Sequence, residues 1–95
     1  RNAKAYAEAK AQVTYLEQYM KTKKAILFAS SLGNTIADRE NFAYAHPEYQ
    51  ELLEGLREAV EKAEALRWEL IAAQARVDVW RSQEASNRNI DRNTQ

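Results

Sequence analysis

Five glutamates, spaced by three or four residues, are the first group in this chain that could do chemistry: Glu51, Glu54, Glu58, Glu61 and Glu64. This spacing aligns their carboxylates on one face of a helix, as in a di-metal carboxylate bundle. Such a bundle also needs inward-facing Glu-x-x-His pairs, and the chain has none. We therefore expect solvated acids that make local ion pairs, and we predict no metal site.

The other residue types that support catalysis are isolated. The sole histidine, His46, lies beside Pro47 in a chain without cysteine, so we expect it to cap a helix or face solvent rather than bind a metal. Gly33 stands alone, unlike the glycines of a phosphate-binding loop. No serine has a histidine placed for a catalytic triad. We predict that the protein is not an enzyme, with no catalytic residue and no cofactor.

Basic residues offer the one alternative chemistry, contact with nucleic-acid phosphates. Lys4, Lys10, Arg81, Arg88 and Arg92 would gather at one end if the two halves of the chain paired as an antiparallel hairpin. Acidic residues dilute this end, and the formal net charge is zero. A dedicated binder usually carries a basic domain. Nucleic-acid binding through this basic end is therefore our alternative function, and a solvated helix end is the simpler interpretation.

The elements that position these residues follow from a 3-4 repeat in the second half of the chain. We call its apolar or small residues the seam: Tyr49, Leu52, Leu56, Ala59, Ala63, Leu66, Leu70, Ala73, Val77 and Trp80. A strict 3-4 alternation is typical of a helix that packs along a partner helix. The next step lands on Glu84, where the pattern stops.

Two breaks divide the chain into arms. Pro47 favours the first position of a helix and disfavours helix in the residue before it, so arm two is predicted over 47–86. Arm one is predicted over 2–44, with a kink or short turn at 31–34, although a continuous helix is possible because one internal glycine costs only about 1 kcal/mol. Residues 1–86 form one domain in this interpretation, and the polar residues 87–95 form a tail that frays.

Nearly equal arms predict a long antiparallel helical hairpin that reverses at Ala45 and His46. The residue numbers of two facing positions then add up to about 91. This register places Phe42 against Tyr49 and Trp80 over Ala9. Charge agrees with pairing of the two halves, within one chain or between two. Residues 1–30 carry six basic and two acidic residues, whereas residues 35–70 carry four basic and nine acidic residues.

Apolar residues also lie off the seam, at Leu53, Val60, Trp68 and Ile71. An apolar surface wider than one seam usually faces more than one neighbour. We predict that these four residues form a self-association or partner interface, and that hairpins pair into a helical bundle, most simply as a homodimer. The alternative is a monomer with scattered exposed apolar side chains. No run of about 18 apolar residues occurs, so no membrane span is expected.

Four segments carry a resemblance to a family: Lys23–Leu27, Arg39–Ala43, Tyr49–Trp68 and Ala72–Ser82. They resemble uncharacterised small α-helical proteins encoded by bacteriophages and prophages. The resemblance implies a bacterial cytoplasmic location and an accessory or assembly role, and it brings no catalytic residue. We therefore predict a non-enzymatic, self-associating helical interaction or scaffold protein that binds another protein.

Overall fold

A computed structural model describes residues 2–94, which form three α-helices: α1 (Asn2–Ser30), α2 (Ile36–Ala45) and α3 (Pro47–Thr94). These residues contain no strand, so the predicted all-α class is confirmed. The molecule is an elongated helical hairpin with a longest dimension of 86 Å.

The chain reverses at residues 31–35, where the sequence predicted a kink or short turn at 31–34. The Ser31 hydroxyl accepts a hydrogen bond from the Gly33 N–H at 3.1 Å. The Thr35 hydroxyl caps α2 by accepting from the Asp38 N–H at 3.0 Å. Side chains thus satisfy one backbone donor inside the turn and one at the start of α2. The predicted break is confirmed, and it forms the hairpin turn.

Arg39 ties the two sides of this turn together. Its guanidinium donates to the carbonyl oxygens of Gly33 and Phe28, at 3.2 and 3.4 Å, and lies 5.7 Å from the Phe28 ring centroid. The Phe28 carbonyl is one that the end of α1 leaves without a helical partner. Further from the turn, the Lys24 ammonium lies 4.7 Å from the Tyr44 ring centroid. These contacts show that α2 runs antiparallel to the last turns of α1.

His46 separates α2 from α3 without reversing the chain. Its backbone is extended, with φ −65° and ψ 135°, as the residue before a proline prefers. Its carbonyl accepts from the N–H groups of Tyr49 and Gln50. One non-helical residue is shorter than the loops of about two to five residues that join antiparallel helices. At 1.5 Å per residue, α2, His46 and α3 in line would span about 88 Å, close to the observed 86 Å.

The pairing of α1 with α3 fixes the register of the hairpin. Lys23 and Glu48 form a salt bridge, with 3.0 Å between Nζ and Oε2. Nearer the start of α1, Ala9 lines the same groove as Ala59 and Lys62. Paired positions therefore sum to about 70, and both α2 and α3 run antiparallel to α1.

The predicted register, in which pairs sum to about 91, is wrong. Trp80 does not lie over Ala9, and Lys23 meets Glu48 rather than residue 68, which that register would place opposite it. The near-equal lengths of 2–44 and 47–86 predict a reversal at Ala45 and His46, and this too is wrong. The hydrogen-bonded turn at 31–35 reverses the chain instead, and arm one is therefore only α1.

The core is thin, although the seam lies where the repeat predicted. Seam residues from Tyr49 to Ala73 are buried or half-buried along the hairpin. Within residues 2–94 the buried apolar side chains are Ala9, Met20, Leu27, Ala43 and Ala63, and no large side chain is fully buried. Alanine hides little apolar area, so one hairpin gains little stabilisation from burial.

α3 continues through Thr94, past the predicted end at Ser86. Residues 87–94 are helical where a frayed tail was expected, and Gln95 lies outside the described residues. A polar sequence can extend an existing helix because propagation is far easier than nucleation. Arg92 in the last turn also interacts favourably with the helix dipole.

Candidate protein-interaction surface

The C-terminal half of α3 extends past the start of α1. Because the residue numbers of facing positions in α1 and α3 add up to about 70, Asn2 lies opposite residue 68 of α3. Later residues of α3 therefore face no other described helix. We call residues 71–94 the overhang. At 1.5 Å per residue it is about 36 Å long.

The seam runs onto the overhang and is uncovered there. Ala73 is half-buried, whereas Val77 and Trp80 are exposed, Trp80 over 60% of its surface. The sequence predicted that Trp80 packs over Ala9, between the two arms, and this is wrong because Ala9 lies beside Ala59 instead. Val79 is exposed beside Trp80, and the two help to line a shallow groove. The overhang therefore presents apolar side chains to solvent.

The four residues predicted as an interface lie on another face of α3, which we call the outward stripe: Leu53, Val60, Trp68 and Ile71. All four are exposed, over 41–59% of their surfaces. At about 100° per residue they fall within about 80° of one another and lie more than about 90° from most of the seam. The structure thus places them together, on a face that does not pack against α1.

α1 carries an exposed aromatic pair that sequence analysis missed. Tyr15 and Tyr19 stack with ring centroids 6.0 Å apart and an interplanar angle of 4°. Ile26 is exposed two turns further along the helix. Their spacing of four and seven residues, off the apolar positions that face α3, was the signal that could have revealed them. Apolar surface therefore remains uncovered on both long helices.

The structure does not gather the basic residues at one end. Lys4 and Lys10 lie in α1 beside the middle of α3, whereas Arg81, Arg88 and Arg92 lie on the overhang. Arg88 is about 33 Å along the helix axis from the position opposite Lys4. The overhang carries four arginines and three acidic residues, so its formal charge is only +1. The expected cluster depended on the wrong register, and nucleic-acid contact remains a prediction without a basic surface.

Three of the five spaced glutamates of α3 form local ion pairs, as the spacing predicted. Arg57 lies 2.6 Å from Glu54 and 3.1 Å from Glu61, and Arg67 lies 3.3 Å from Glu64. The hydrogen bond from Arg57 lowers the pKa of Glu54 and raises that of Arg57. Among residues 2–94, no group of three or more His, Cys, Asp or Glu side chains is placed to hold a metal ion.

His46 is a junction residue and forms the C-cap of α2, in line with the predicted capping role. Its Nδ1 accepts from the Glu48 N–H at 3.1 Å, and its ring meets Phe42 edge-on at 5.6 Å. The Glu48 side chain in turn binds Lys23 across the hairpin. The hydrogen bond that the Glu48 carboxylate accepts from Lys23, together with the Lys23 charge, lowers the pKa of Glu48. The charge of His46 lowers it by a smaller amount.

The Lys23–Glu48 pair predicts a pH dependence of stability. Because the folded-state pKa of Glu48 lies below its ordinary value of 4.5, the pair stabilises the fold above that pH and loses its contribution as pH falls through the lowered value. We expect Glu48→Gln to destabilise the protein at pH 7, and this difference to vanish in more acidic solution. Urea unfolding from pH 7 to pH 3 measures it.

The matched control is the same substitution in a Lys23→Met background. Without the ammonium group, the effect of Glu48→Gln should lose most of its pH dependence below neutrality. An unchanged pH dependence in that background would show that Lys23 does not cause it.

Comparisons with known proteins do not assign this surface a function. No protein-family model matches the chain, and neither a curated protein nor a solved structure matches it. In the part of the chain that the structure describes, every helix is too short or too polar to cross a bilayer.

Proposed function

We propose that the protein is a non-enzymatic helical interaction protein that self-associates, most simply as a dimer, and binds another protein. The supporting observation is that α3 exposes apolar side chains on two faces while the hairpin core stays thin. A helix that is apolar on more than one face usually has more than one neighbour. Small cores commonly gain stability from oligomerisation.

Several of the residues that could do chemistry support a non-enzymatic role because they have structural partners. His46 caps a helix and accepts a backbone hydrogen bond. Three acids of α3, Glu54, Glu61 and Glu64, pair with Arg57 or Arg67. These contacts leave the exposed apolar surface of α3 as the feature most suited to function. Helical scaffold proteins work through such surfaces.

We further propose an accessory role in a bacteriophage or prophage, in the cytoplasm of the bacterial host. This part of the proposal rests on the resemblance of residues 49–68 and 72–82 to phage-encoded helical proteins. The absence of cysteine is compatible with a reducing compartment. The genes beside the one that encodes this chain test the proposal, because a packaging, recombination or regulatory cluster would identify the process served.

Sedimentation velocity of the purified chain tests self-association. We expect the sedimentation coefficient to rise with concentration toward that of a dimer or larger species at about 10–100 μM, the range of a small interface. A monomer throughout that range would contradict the proposal.

Nucleic-acid binding is the alternative that the same preparation can decide. Contact through phosphates would appear as an anisotropy change on labelled DNA or RNA that weakens steeply with salt. Because the overhang carries a formal charge of only +1, we expect no binding at low salt. Salt-sensitive binding would favour the alternative function.

A further inference from the structure

We infer that the overhang is the self-association site and that it pairs, in antiparallel register, with the overhang of a second copy of this chain. The inference rests on the proposed self-association and adds the surface, the partner and the orientation. It leaves the outward stripe for another protein.

The seam itself indicates the kind of partner. From Tyr49 to Leu66 it packs against α1, an antiparallel helix. The same seam then continues onto the overhang, where Val77 and Trp80 have no helix over them among the described residues. An antiparallel helix is therefore the partner that this surface already accepts, and its uncovered part is continuous with that intramolecular interface.

The overhang is also self-complementary. Its seam positions are Ala73, Val77, Trp80 and Glu84, and their centre lies between residues 78 and 79. A two-fold axis at that centre places Val77 of each copy against Trp80 of the other, so this contact occurs twice. It also places Ala73 against the aliphatic stem of Glu84 of the second copy. Each layer then pairs a smaller side chain with a larger one, an alternation that lets facing side chains interdigitate.

Pairing about the centre joins residues from about 70 to 87 in each copy, a contact about 27 Å long. It begins where α1 ends its cover of α3. Residues 88–94 of the second copy would continue over residues 63–69, where α1 occupies the seam. This polar segment therefore has to turn away from the seam and lie next to the start of α1. A charge of +1 on each overhang adds little repulsion.

The size of the contact predicts a weak dimer. Two helices in contact over about 27 Å hide about 1,000 Å² in total, the low end for a specific interface. We therefore expect a dissociation constant in the micromolar range, about 1–100 μM. The experiment must span concentrations on both sides of it.

Two tryptophans of nearly equal exposure provide a matched test in the full chain. Trp80 is 60% exposed on the overhang seam, and Trp68 is 59% exposed on the outward stripe. We expect Trp80→Ala to raise the dimer dissociation constant at least about 100-fold and Trp68→Ala to change it less than about threefold. Sedimentation over about 1–300 μM measures both. Circular dichroism should show the same helix content in each variant.

The possible outcomes separate this inference from the proposed function. If Trp68→Ala weakens the dimer and Trp80→Ala does not, the outward stripe is the interface and the inference is overturned, while self-association stands. A wild-type chain that stays monomeric overturns both.

Orientation is tested with spin labels, because the chain has no cysteine of its own. In an antiparallel pair, labels at Asn93→Cys lie about 44 Å apart along the axis, and labels at Ser82→Cys about 10 Å apart. A long distance for residue 93 and a short one for residue 82 would support the inference. Short distances at both positions indicate a parallel pair and would overturn it.

Discussion

Replacing Leu27 by alanine is expected to lower the free energy of unfolding by about 2–4 kcal/mol. Leu27 is only 4% exposed and is one of two large side chains in a core otherwise built of alanines. Its truncation removes apolar contacts that so small a core cannot replace, and it leaves a cavity at the end of α1. Urea unfolding followed by helical circular dichroism measures the loss.

Leu53→Ala is the control for this prediction. It removes the same atoms from a side chain that is 47% exposed on the outward stripe, so we expect a loss below about 1 kcal/mol. Both variants should be compared at low concentration, where association contributes least. Equal losses would show that Leu27 is not buried in the core as the structure describes.

Gly33→Ala is expected to destabilise the protein by about 1–3 kcal/mol. A Cβ built at Gly33 would lie 2.7 Å from the Cβ of Asp38 and 3.3 Å from the Ser31 hydroxyl. Gly33 does not have a positive φ, so the cost is steric rather than conformational. Accommodating the methyl group must shift the start of α2, and thermal or urea unfolding reports the loss.

Gly55→Ala is the matched control and should have the opposite sign. A Cβ at Gly55 meets no atom within 4 Å, and this glycine lies inside α3. Alanine in a helix interior is favoured over glycine by about 1 kcal/mol, so we expect stabilisation of up to that amount. If both substitutions stabilise the protein, the turn at 31–35 is not as closely packed as described.

The sequence predicted the helices and the seam because both depend on local spacing. A repeat of three and four residues identifies one face of a helix without knowledge of its partner. The same reasoning placed a break at 31–34 and a helix start at Pro47, and both are present. Local spacing could not show which of these two breaks reverses the chain.

That ranking depends on contacts between residues far apart in the sequence. Arg39 binds the carbonyl oxygen of Phe28, eleven residues earlier, and Asp38 approaches Gly33 closely enough to require a residue without a side chain. No local pattern signals either contact. Proline, by contrast, is an obvious break in the sequence, and the near-equality of the two segments around it favoured the wrong reversal.

The interaction surface was predicted only in part for the same reason. The outward stripe follows from helical periodicity alone, and the structure places its residues together on one exposed face. Trp80 was assigned to the core because the predicted register covered it. Once the reversal moves to residues 31–35, α1 is too short to reach Trp80, and the most exposed part of the seam becomes the best candidate contact.

The register of the hairpin is the central claim, and one pair of distances tests it directly. Spin labels at Glu8→Cys and Lys62→Cys, two residues that line the same groove, should lie within about 20 Å of each other in the structure described. Labels at Glu8→Cys and Gln83→Cys should lie about 30 Å apart or more. Dilution with unlabelled chain removes distances between copies. A short distance for the first pair and a long one for the second is the predicted result. The reverse would place the reversal at residues 45–46 and contradict the overhang.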